Sequence, residues 1–97
     1  MSLETFSDNL STRLAGFGHI VKFTSDDGDV LVVDATQSPP AMSTTDADAE
    51  VALSASLQTF EGILNGTQDP NIAFMMGKLK VQGSMGLALK LNGVLES

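Results

Sequence analysis

The chain lacks most of the residue types that carry covalent and metal chemistry. Its 97 residues include no cysteine, tryptophan or tyrosine, and a single histidine, His19. The absence of cysteine excludes disulfide bonds, thiol catalysis and cysteine-based zinc sites together. One imidazole without such partners makes a poor metal site, so we expect His19 to be structural and no metal or other cofactor to be bound.

Basic residues are also scarce. Five lysines and arginines stand against twelve acids, which gives a net charge of -7, and residues 26–50 contain seven acids but no lysine or arginine. Nucleic-acid binding needs a basic footprint and aromatic stacking platforms, so this composition argues against it. The same balance disfavours tight docking on anionic membranes, and we expect transient membrane contact at most. The acidic stretch is expected to be a solvated surface.

Long apolar runs are missing as well. No segment approaches the ~20 apolar residues of a membrane-spanning helix. The first residues, MSLETFSDNL, contain early acids and no long apolar region, so no signal peptide is predicted. We expect residues 1–97 to form one domain located in the cytoplasm.

The first half of the chain predicts one helix followed by strands. Apolar residues at helical spacing predict a helix over residues 3–15, ended by Gly16 and Gly18; these residues are Leu3, Phe6, Leu10 and Leu14. Two β-rich runs joined by DDGD, residues 26–29, predict a hairpin. Two consecutive prolines, at positions 39 and 40, place any strand at residues 38–44 at a sheet edge.

The second half adds further strands and three helices. After the alternating run EVALSAS, Ser56 can cap a helix that stops at Gly66, and Asp69-Pro70 can open a shorter one. KLKVQ predicts a further strand, and Gly83 turns the chain into the last helix. Four to five short strands and four helices indicate an α+β fold, with one largely antiparallel sheet covered by helices on one face.

The last two helices carry more apolar surface than docking on a sheet requires. At ~100° per residue, one stripe of the final helix is sufficient to dock it; the stripe comprises Leu87, Ala88, Leu91, Val94 and Leu95. Met85 and Leu89 lie beyond that stripe, while Gly86, Lys90 and Gly93 are expected on the solvent-facing side of the helix. The short helix before it adds four more large apolar residues, namely Ile72, Phe74, Met75 and Met76.

Two interpretations of this excess remain open from periodicity alone. The extra residues can complete an ordinary core or a dimer contact. Alternatively, they can wall an internal cavity for an apolar ligand, a role that suits methionine because its side chain is flexible and polarisable.

The stretch FMMGKLKVQGSMGLALKL, residues 74–91, resembles the C-terminal signature of the sterol carrier protein 2 domain family. That signature runs aromatic–x–x–G–K–L–K–aliphatic–x–G–x–M–G–L–A–x–K–L, and this chain matches it at Gly77, Lys78, Leu79, Lys80, Gly83, Met85, Gly86, Leu87, Ala88, Lys90 and Leu91. The upstream segment FEGILNGTQDPNIAF also follows the family's order, so the likeness covers roughly residues 17–95. The first helix is shorter than usual for the family, a tryptophan common in its second strand is absent, and the ending LES gives no basis for an organelle address.

The resemblance implies a single five-stranded, mostly antiparallel sheet covered on one face by helices and enclosing a hydrophobic tunnel. It implies a fatty acid, fatty acyl-CoA, phospholipid or sterol-like ligand. We expect the cavity to be lined by Phe23, Val32, Phe60, Ile72, Phe74, Met75, Met76, Met85, Leu87, Leu89, Leu91 and Leu95. Three lysines near it, Lys78, Lys80 and Lys90, could steer an anionic head group; the alternative is that they are ordinary solvent-facing side chains.

No credible set of catalytic residues is present. GSMG, residues 83–86, falls short of the nucleophile-elbow motif G-x-S-x-G, and its glycines are better explained by a tight turn at Gly83 and a close-packing contact at Gly86. Residues 46–50 resemble the start of a calcium loop, but Val51 and Leu57 occupy positions that require glycine and glutamate. The sequence therefore predicts a non-catalytic lipid-binding or carrier domain. The alternative is an accessory interaction or dimerisation module, forming a homodimer or docking on a partner enzyme of lipid or quinone metabolism.

Overall fold

The computed structural model describes residue 8 and residues 10–96. Helix α1 is described at residues 8 and 10–13, and eight further elements follow it. They are β1 (Ile20–Ser25), β2 (Val30–Asp34), β3 (Ala41–Ser43), β4 (Val51–Ala55), α2 (Leu57–Asn65), α3 (Pro70–Met75), β5 (Leu79–Gly83) and α4 (Met85–Glu96). The predicted helix over residues 3–15 lies partly outside the described residues, including its positions Leu3 and Phe6.

The five strands form one sheet in the order β3-β2-β1-β4-β5. Three neighbouring pairs are antiparallel, as predicted, but the central pair β1–β4 is parallel, so the sheet is mixed. The parallel pair arises because the chain leaves the β1–β2 hairpin, forms the short edge strand β3, and returns along residues 44–50 to the open side of β1. The edge position of β3, which the two prolines predict, is confirmed.

One face of the sheet packs against the helices. Alternation along each strand gives this face its apolar side chains, which are Val21, Phe23, Leu31, Val33, Val51, Leu53, Ala55 and Leu79. The helices contribute the other half of the core: Leu10 and Leu14 from the first helix and its following turn, Phe60, Ile63 and Leu64 from α2, Ala73 from α3, and Ala88, Leu91 and Leu95 from α4. The predicted α+β architecture is confirmed.

The helix boundaries follow the capping residues that the sequence contains. Ser56 caps α2 by accepting a hydrogen bond from the Thr59 backbone N–H, and Gly66 ends it with a positive φ of 83°. The Asp69 side chain accepts from the N–H groups of Asn71 and Ile72, with Pro70 in the first helical position of α3. These four predicted boundary residues are confirmed.

Arg13 ties the N-terminal helix to the ends of two others. Its guanidinium donates to the backbone carbonyl of Leu95 at 2.5 Å and to that of Leu64 at 2.7 Å. Because the last carbonyls of a helix have no partner within the helix, a cationic donor there stabilises the helix end. Arg13 thus joins α1 to the C-terminal ends of α2 and α4.

Glu50 joins the starts of two strands and the turn before α4. Its carboxylate accepts from the Ile20 backbone N–H at 3.0 Å and lies 3.1 Å from His19 Nδ1, and its carbonyl oxygen accepts from the Ser84 N–H at 3.1 Å. The hydrogen bond from Ile20 and, to a smaller extent, the His19 contact hold the pKa of Glu50 below its ordinary value, against a raising contribution from desolvation. The carboxylate is therefore favoured in its charged form in the folded protein.

Candidate functional site

Helix α4 presents two apolar faces with different surroundings. Ala88, Leu91 and Leu95 are buried in the core, and Leu87 and Val94 are partly buried against it. Met85 and Leu89, one turn apart, are 52% and 67% exposed. The predicted docking stripe is confirmed, and so is apolar surface beyond it.

Helix α3 repeats this arrangement over six residues. Pro70 and Ala73 point into the protein, so the remaining apolar side chains face outward. Those four side chains are Ile72, Phe74, Met75 and Met76, with Met75 the most exposed at 82%. In α3 and its C-cap residue Met76, the four larger apolar side chains are therefore between 45% and 82% exposed.

Together, these side chains form what we call the α3–α4 apolar surface: Ile72, Phe74, Met75, Met76, Met85 and Leu89. Among the residues that the structure describes, every large hydrophobic side chain found exposed belongs to this set. The set spans only 18 positions of sequence, from 72 to 89. Single exposed apolar residues are normal in proteins, whereas a concentration on two helices makes this surface a candidate binding site.

The twelve residues predicted to line one internal cavity do not lie together. Phe23, Phe60, Leu91 and Leu95 fill the core, where the rings of Phe23 and Phe60 meet edge to face with centroids 5.6 Å apart. Six others form the α3–α4 apolar surface, and Leu87 is partly buried beside the core.

Val32 lies apart from Phe23, the other strand residue of that predicted lining set. In the β1–β2 register Phe23 pairs with Leu31, whereas Val32 pairs with Lys22. Since alternate residues of a strand point to opposite faces, Val32 lies on the face away from the helices and cannot share a cavity with Phe23. An apolar run with both faces occupied gives no sign of which face is inward, so the sequence alone could not decide this.

A polar contact lies between the two helices that carry the apolar surface. Asn92 of α4 is only 8% exposed, and its Nδ2 donates to Asn71 Oδ1 of α3 over 3.5 Å, the long end of hydrogen-bond distance. The Oδ1 atom of Asn92 is buried and has no hydrogen-bond partner. Because an unsatisfied buried acceptor costs free energy, this amide holds α3 against α4 less well than a fully hydrogen-bonded one would.

The three predicted head-group lysines separate into two groups. Lys78 and Lys80 border a polar depression of about 680 Å³ at the start of β5. Lys90 is exposed on α4 and is not among the residues lining that depression. The predicted cluster of three lysines therefore reduces to a pair.

The remaining polar candidates have structural contacts. His19 lies against Glu50 and against the Phe17 ring, with centroids 5.6 Å apart. Asp46, from the calcium-like segment, pairs with Lys22 Nζ at 3.0 Å. The side chains of His19 and Asp46 are therefore both engaged in contacts within the fold.

A family model decides the relationship of this chain to known proteins. The model described as the SCP-2 sterol transfer family matches residues 2–96. The chain belongs to this family.

The SCP-2 domain is also similar to two solved structures over nearly all of its length. The sterol carrier protein domain 2 of Helicoverpa armigera is 25% identical with a TM-score of 0.69, covering 96% of this chain and 76% of that one. Palmitated SCP2L2 from Aedes aegypti is 22% identical with a TM-score of 0.73, covering 100% and 96%.

A curated relative matches only part of the SCP-2 domain. Hydroxysteroid dehydrogenase-like protein 2 of Xenopus tropicalis is 47% identical over 47 residues, which is 48% of this chain. The match spans only 11% of that relative's own length. Among the described residues of the SCP-2 domain, moreover, none of the helices is both long and apolar enough to cross a bilayer.

Sequence reasoning missed two features of the site. The buried amide of Asn92 gave no signal, because an asparagine near the end of a helix is usually exposed. The depression beside Lys78 and Lys80 also went unnoticed, since it is assembled from four separate stretches of chain. Hydroxyl and amide residues are common at strand ends and turns, so their convergence is visible only in three dimensions.

Proposed function

We propose that residues 1–97 act as one non-catalytic, cytoplasmic lipid-binding or carrier domain. Its ligand class is a fatty acid, fatty acyl-CoA, phospholipid or sterol-like molecule. Membership of the SCP-2 sterol transfer family supports the ligand class. The observation that carries the proposal is the concentration of exposed apolar side chains on α3 and α4.

The ligand chain is proposed to lie on the α3–α4 apolar surface and to enter where the two helices meet. Burial of about a dozen methylenes there is worth roughly 10 kcal/mol before ordering costs. The long Asn71–Asn92 hydrogen bond and the unpartnered Asn92 oxygen supply little resistance to separation of the helices. The core beneath then supplies a second apolar wall, through Leu91 and its neighbours.

Thermal unfolding against a panel of lipids tests this proposal. We expect palmitate, palmitoyl-CoA, a phosphatidylcholine or cholesterol to raise the Tm, because a ligand that binds only the folded state stabilises it. Palmitate is the first probe, since one solved relative is a palmitated protein.

A matched pair of variants locates the effect. Leu89→Asp places a charge on the apolar surface and should abolish the Tm increase. Gln82→Asp adds the same charge at an exposed position of β5, outside the apolar surface, and should leave the increase intact. A Tm that no lipid moves, with no lipid retained in a native mass spectrum, would contradict the proposal.

The second candidate is an accessory interaction module that uses the same surface for a dimer or for a partner enzyme. It is favoured by the relative in which the matched segment is only 11% of a longer protein. Sedimentation distinguishes the two functions. A dimer that Leu89→Asp dissociates and that lipid does not affect supports the interaction module, whereas a monomer whose Tm rises with lipid supports the carrier.

A further inference from the structure

The polar depression at the start of β5 has the chemistry of an anion site. It lies where β1 and β4 end, β5 begins and α2 starts. Its volume of about 680 Å³ falls in the range of small-molecule sites, yet its lining is polar. The lining residues are Asp26, Ser54, Ser56, Gln58, Thr59, Gly62, Thr67, Gln68, Gly77, Lys78 and Lys80.

The two lysines of the depression differ from the paired cations of the chain. Arg13 binds the carbonyls at the ends of two helices, and Lys22 pairs with Asp46. Lys78 and Lys80 form no ion pair within the described residues. At this depression two ammonium groups outnumber the single carboxylate of the lining, Asp26, which favours a positive local potential in a chain of net charge -7.

Most neutral donors around these lysines already have partners within the protein. The Ser56 and Thr59 hydroxyls bond to each other, the Thr67 hydroxyl donates to Asn65 Oδ1, and the Gln68 amide donates to the Asp69 carbonyl. Ser54 is the strand partner of Lys80, so the two side chains stand on the same face of the sheet. Thr67 and Gln68 are held at the rim, because their backbone N–H groups both donate to the Gly62 carbonyl at 2.9 Å. The nine-residue helix α2 also begins here, and its N-terminal dipole favours negative charge.

This donor set suits a phosphate ester better than a carboxylate. A phosphate group offers more charge and more acceptor oxygens than a carboxylate, so it can engage both lysines and the Ser54 hydroxyl together. Asp26, the one acid of the lining, is placed to accept from a hydroxyl or ammonium group of the same head group.

The depression adjoins the α3–α4 apolar surface through the backbone. The Lys78 N–H donates to the Ala73 carbonyl at 2.9 Å, and the Gly77 N–H donates to the Phe74 carbonyl at 3.2 Å. These bonds hold Lys78 within one turn of the exposed Phe74 side chain. The Lys80 side chain points away from the buried Leu79, so a ligand with its chain on the apolar surface would reach the lysines around the start of β5.

We propose that this depression binds the phosphate-bearing end of an amphipathic ligand, through Lys78 and Lys80 and without Lys90. The inference deepens the proposed lipid-binding function and rests on it for the apolar chain. The phosphate group belongs to acyl-CoA and phospholipids alike.

The first test compares palmitoyl-CoA with palmitate by calorimetric titration of three proteins. The Lys78→Gln/Lys80→Gln double variant should lose about tenfold in palmitoyl-CoA affinity while its palmitate affinity changes less than about twofold. Lys90→Gln, which removes the same type of charge outside the depression, should leave both affinities within about twofold. The palmitoyl-CoA loss should shrink as salt is raised. An equal loss for both ligands, or no loss for either, would overturn the inference.

A second test needs neither a variant nor a lipid chain. Titration of the isotopically labelled wild-type protein with coenzyme A, glycerol 3-phosphate and inorganic phosphate should produce saturable amide shifts at Ser54, Thr59 and Lys80. If coenzyme A and glycerol 3-phosphate produce larger shifts than inorganic phosphate, the depression is a head-group site. If their shifts are no larger, the depression is a site for free phosphate, and the head-group assignment is overturned. If palmitate fails to bind but the esters shift these amides, the lipid proposal fails and the phosphate site stands. If palmitate binds and the esters shift nothing, the phosphate site fails alone.

Discussion

A Cβ atom placed on Gly83 would lie 2.5 Å from the carbonyl oxygen of Glu50. Gly83 also has a φ of 96°, so two independent constraints require glycine where β5 turns into α4. The predicted tight turn is thereby confirmed. The predicted close packing at Gly86 is wrong, because a Cβ there would meet only Ser84 Oγ, at 3.9 Å.

The first prediction follows from this contrast. Gly83→Ala should lower the free energy of unfolding by about 3 kcal/mol, since it adds backbone strain and a clash with the backbone of β4. Gly86→Ala lies in α4 with open space around it and should raise that free energy by up to about 1 kcal/mol through helix propensity. Urea denaturation of both variants measures the difference. Equal stabilities for the two would refute the account of the turn.

The pH dependence of stability should depend on Glu50. Its pKa in the folded protein lies below the ordinary value of 4.5, so the unfolded chain binds more protons as the pH falls below that value. The contribution of Glu50 to stability is therefore complete above about pH 4.5 and is lost as the pH falls through the folded-state pKa. Glu50→Gln should make the decline of Tm below about pH 4.5 shallower.

Asp34 provides a second case for the same measurement. Hydrogen bonds from the Thr36 hydroxyl, the Gln37 amide and the Thr36 backbone N–H lower its pKa from 3.8, opposed by desolvation. Asp34→Asn should flatten the acid decline of Tm by the same logic, in a window that begins near pH 3.8 rather than 4.5. Parallel curves for wild type and both variants would show that neither carboxylate has the assigned role.

Removal of the Asn92 amide, whose buried oxygen has no hydrogen-bond partner, should stabilise the junction between α3 and α4. Asn92→Leu keeps the side-chain branching and eliminates a buried acceptor that has no donor. We therefore expect the free energy of unfolding to rise by about 1 kcal/mol and the Tm to rise by several degrees. Asn92→Asp places a charge in the same position and should lower the Tm instead. A lower Tm for the leucine variant would show that the amide is well satisfied in solution.

Gly62 controls the rim of the polar depression. A Cβ there would approach Gln68 Cβ to 2.9 Å and Thr67 Oγ1 to 3.3 Å, so Gly62→Ala should push residues 67–68 outward. We expect a net loss of about 1 kcal/mol, because the clash outweighs the gain in helix propensity. Gly93→Ala, with nothing within 4 Å, serves as the control and should not lose stability. Unchanged amide shifts at residues 67–68 in Gly62→Ala would contradict this view of the rim.

The sequence predicted the elements whose signals are local. Capping residues such as Ser56 and Asp69 act on their own helix, and the apolar stripe of α4 follows directly from its periodicity. The parallel pairing of β1 with β4 depends on the path of a distant loop, so no local signal reveals it. The position of Val32 could not be predicted for a related reason: periodicity shows which residues share a face, but Val32 and Leu31 both suit the interior, and only strand register separates them.

The central claim is that a lipid chain binds the α3–α4 apolar surface, and methionine methyl groups report on it directly. Three of the five methionines, Met75, Met76 and Met85, belong to this surface, while Met42 lies in the edge strand β3. In a protein with labelled methionine methyl groups, titration with palmitate should shift those three signals together, saturating at equimolar ligand, and leave Met42 unmoved. Absence of any saturable shift at Met75, Met76 and Met85, or a response confined to Met42, would contradict the account.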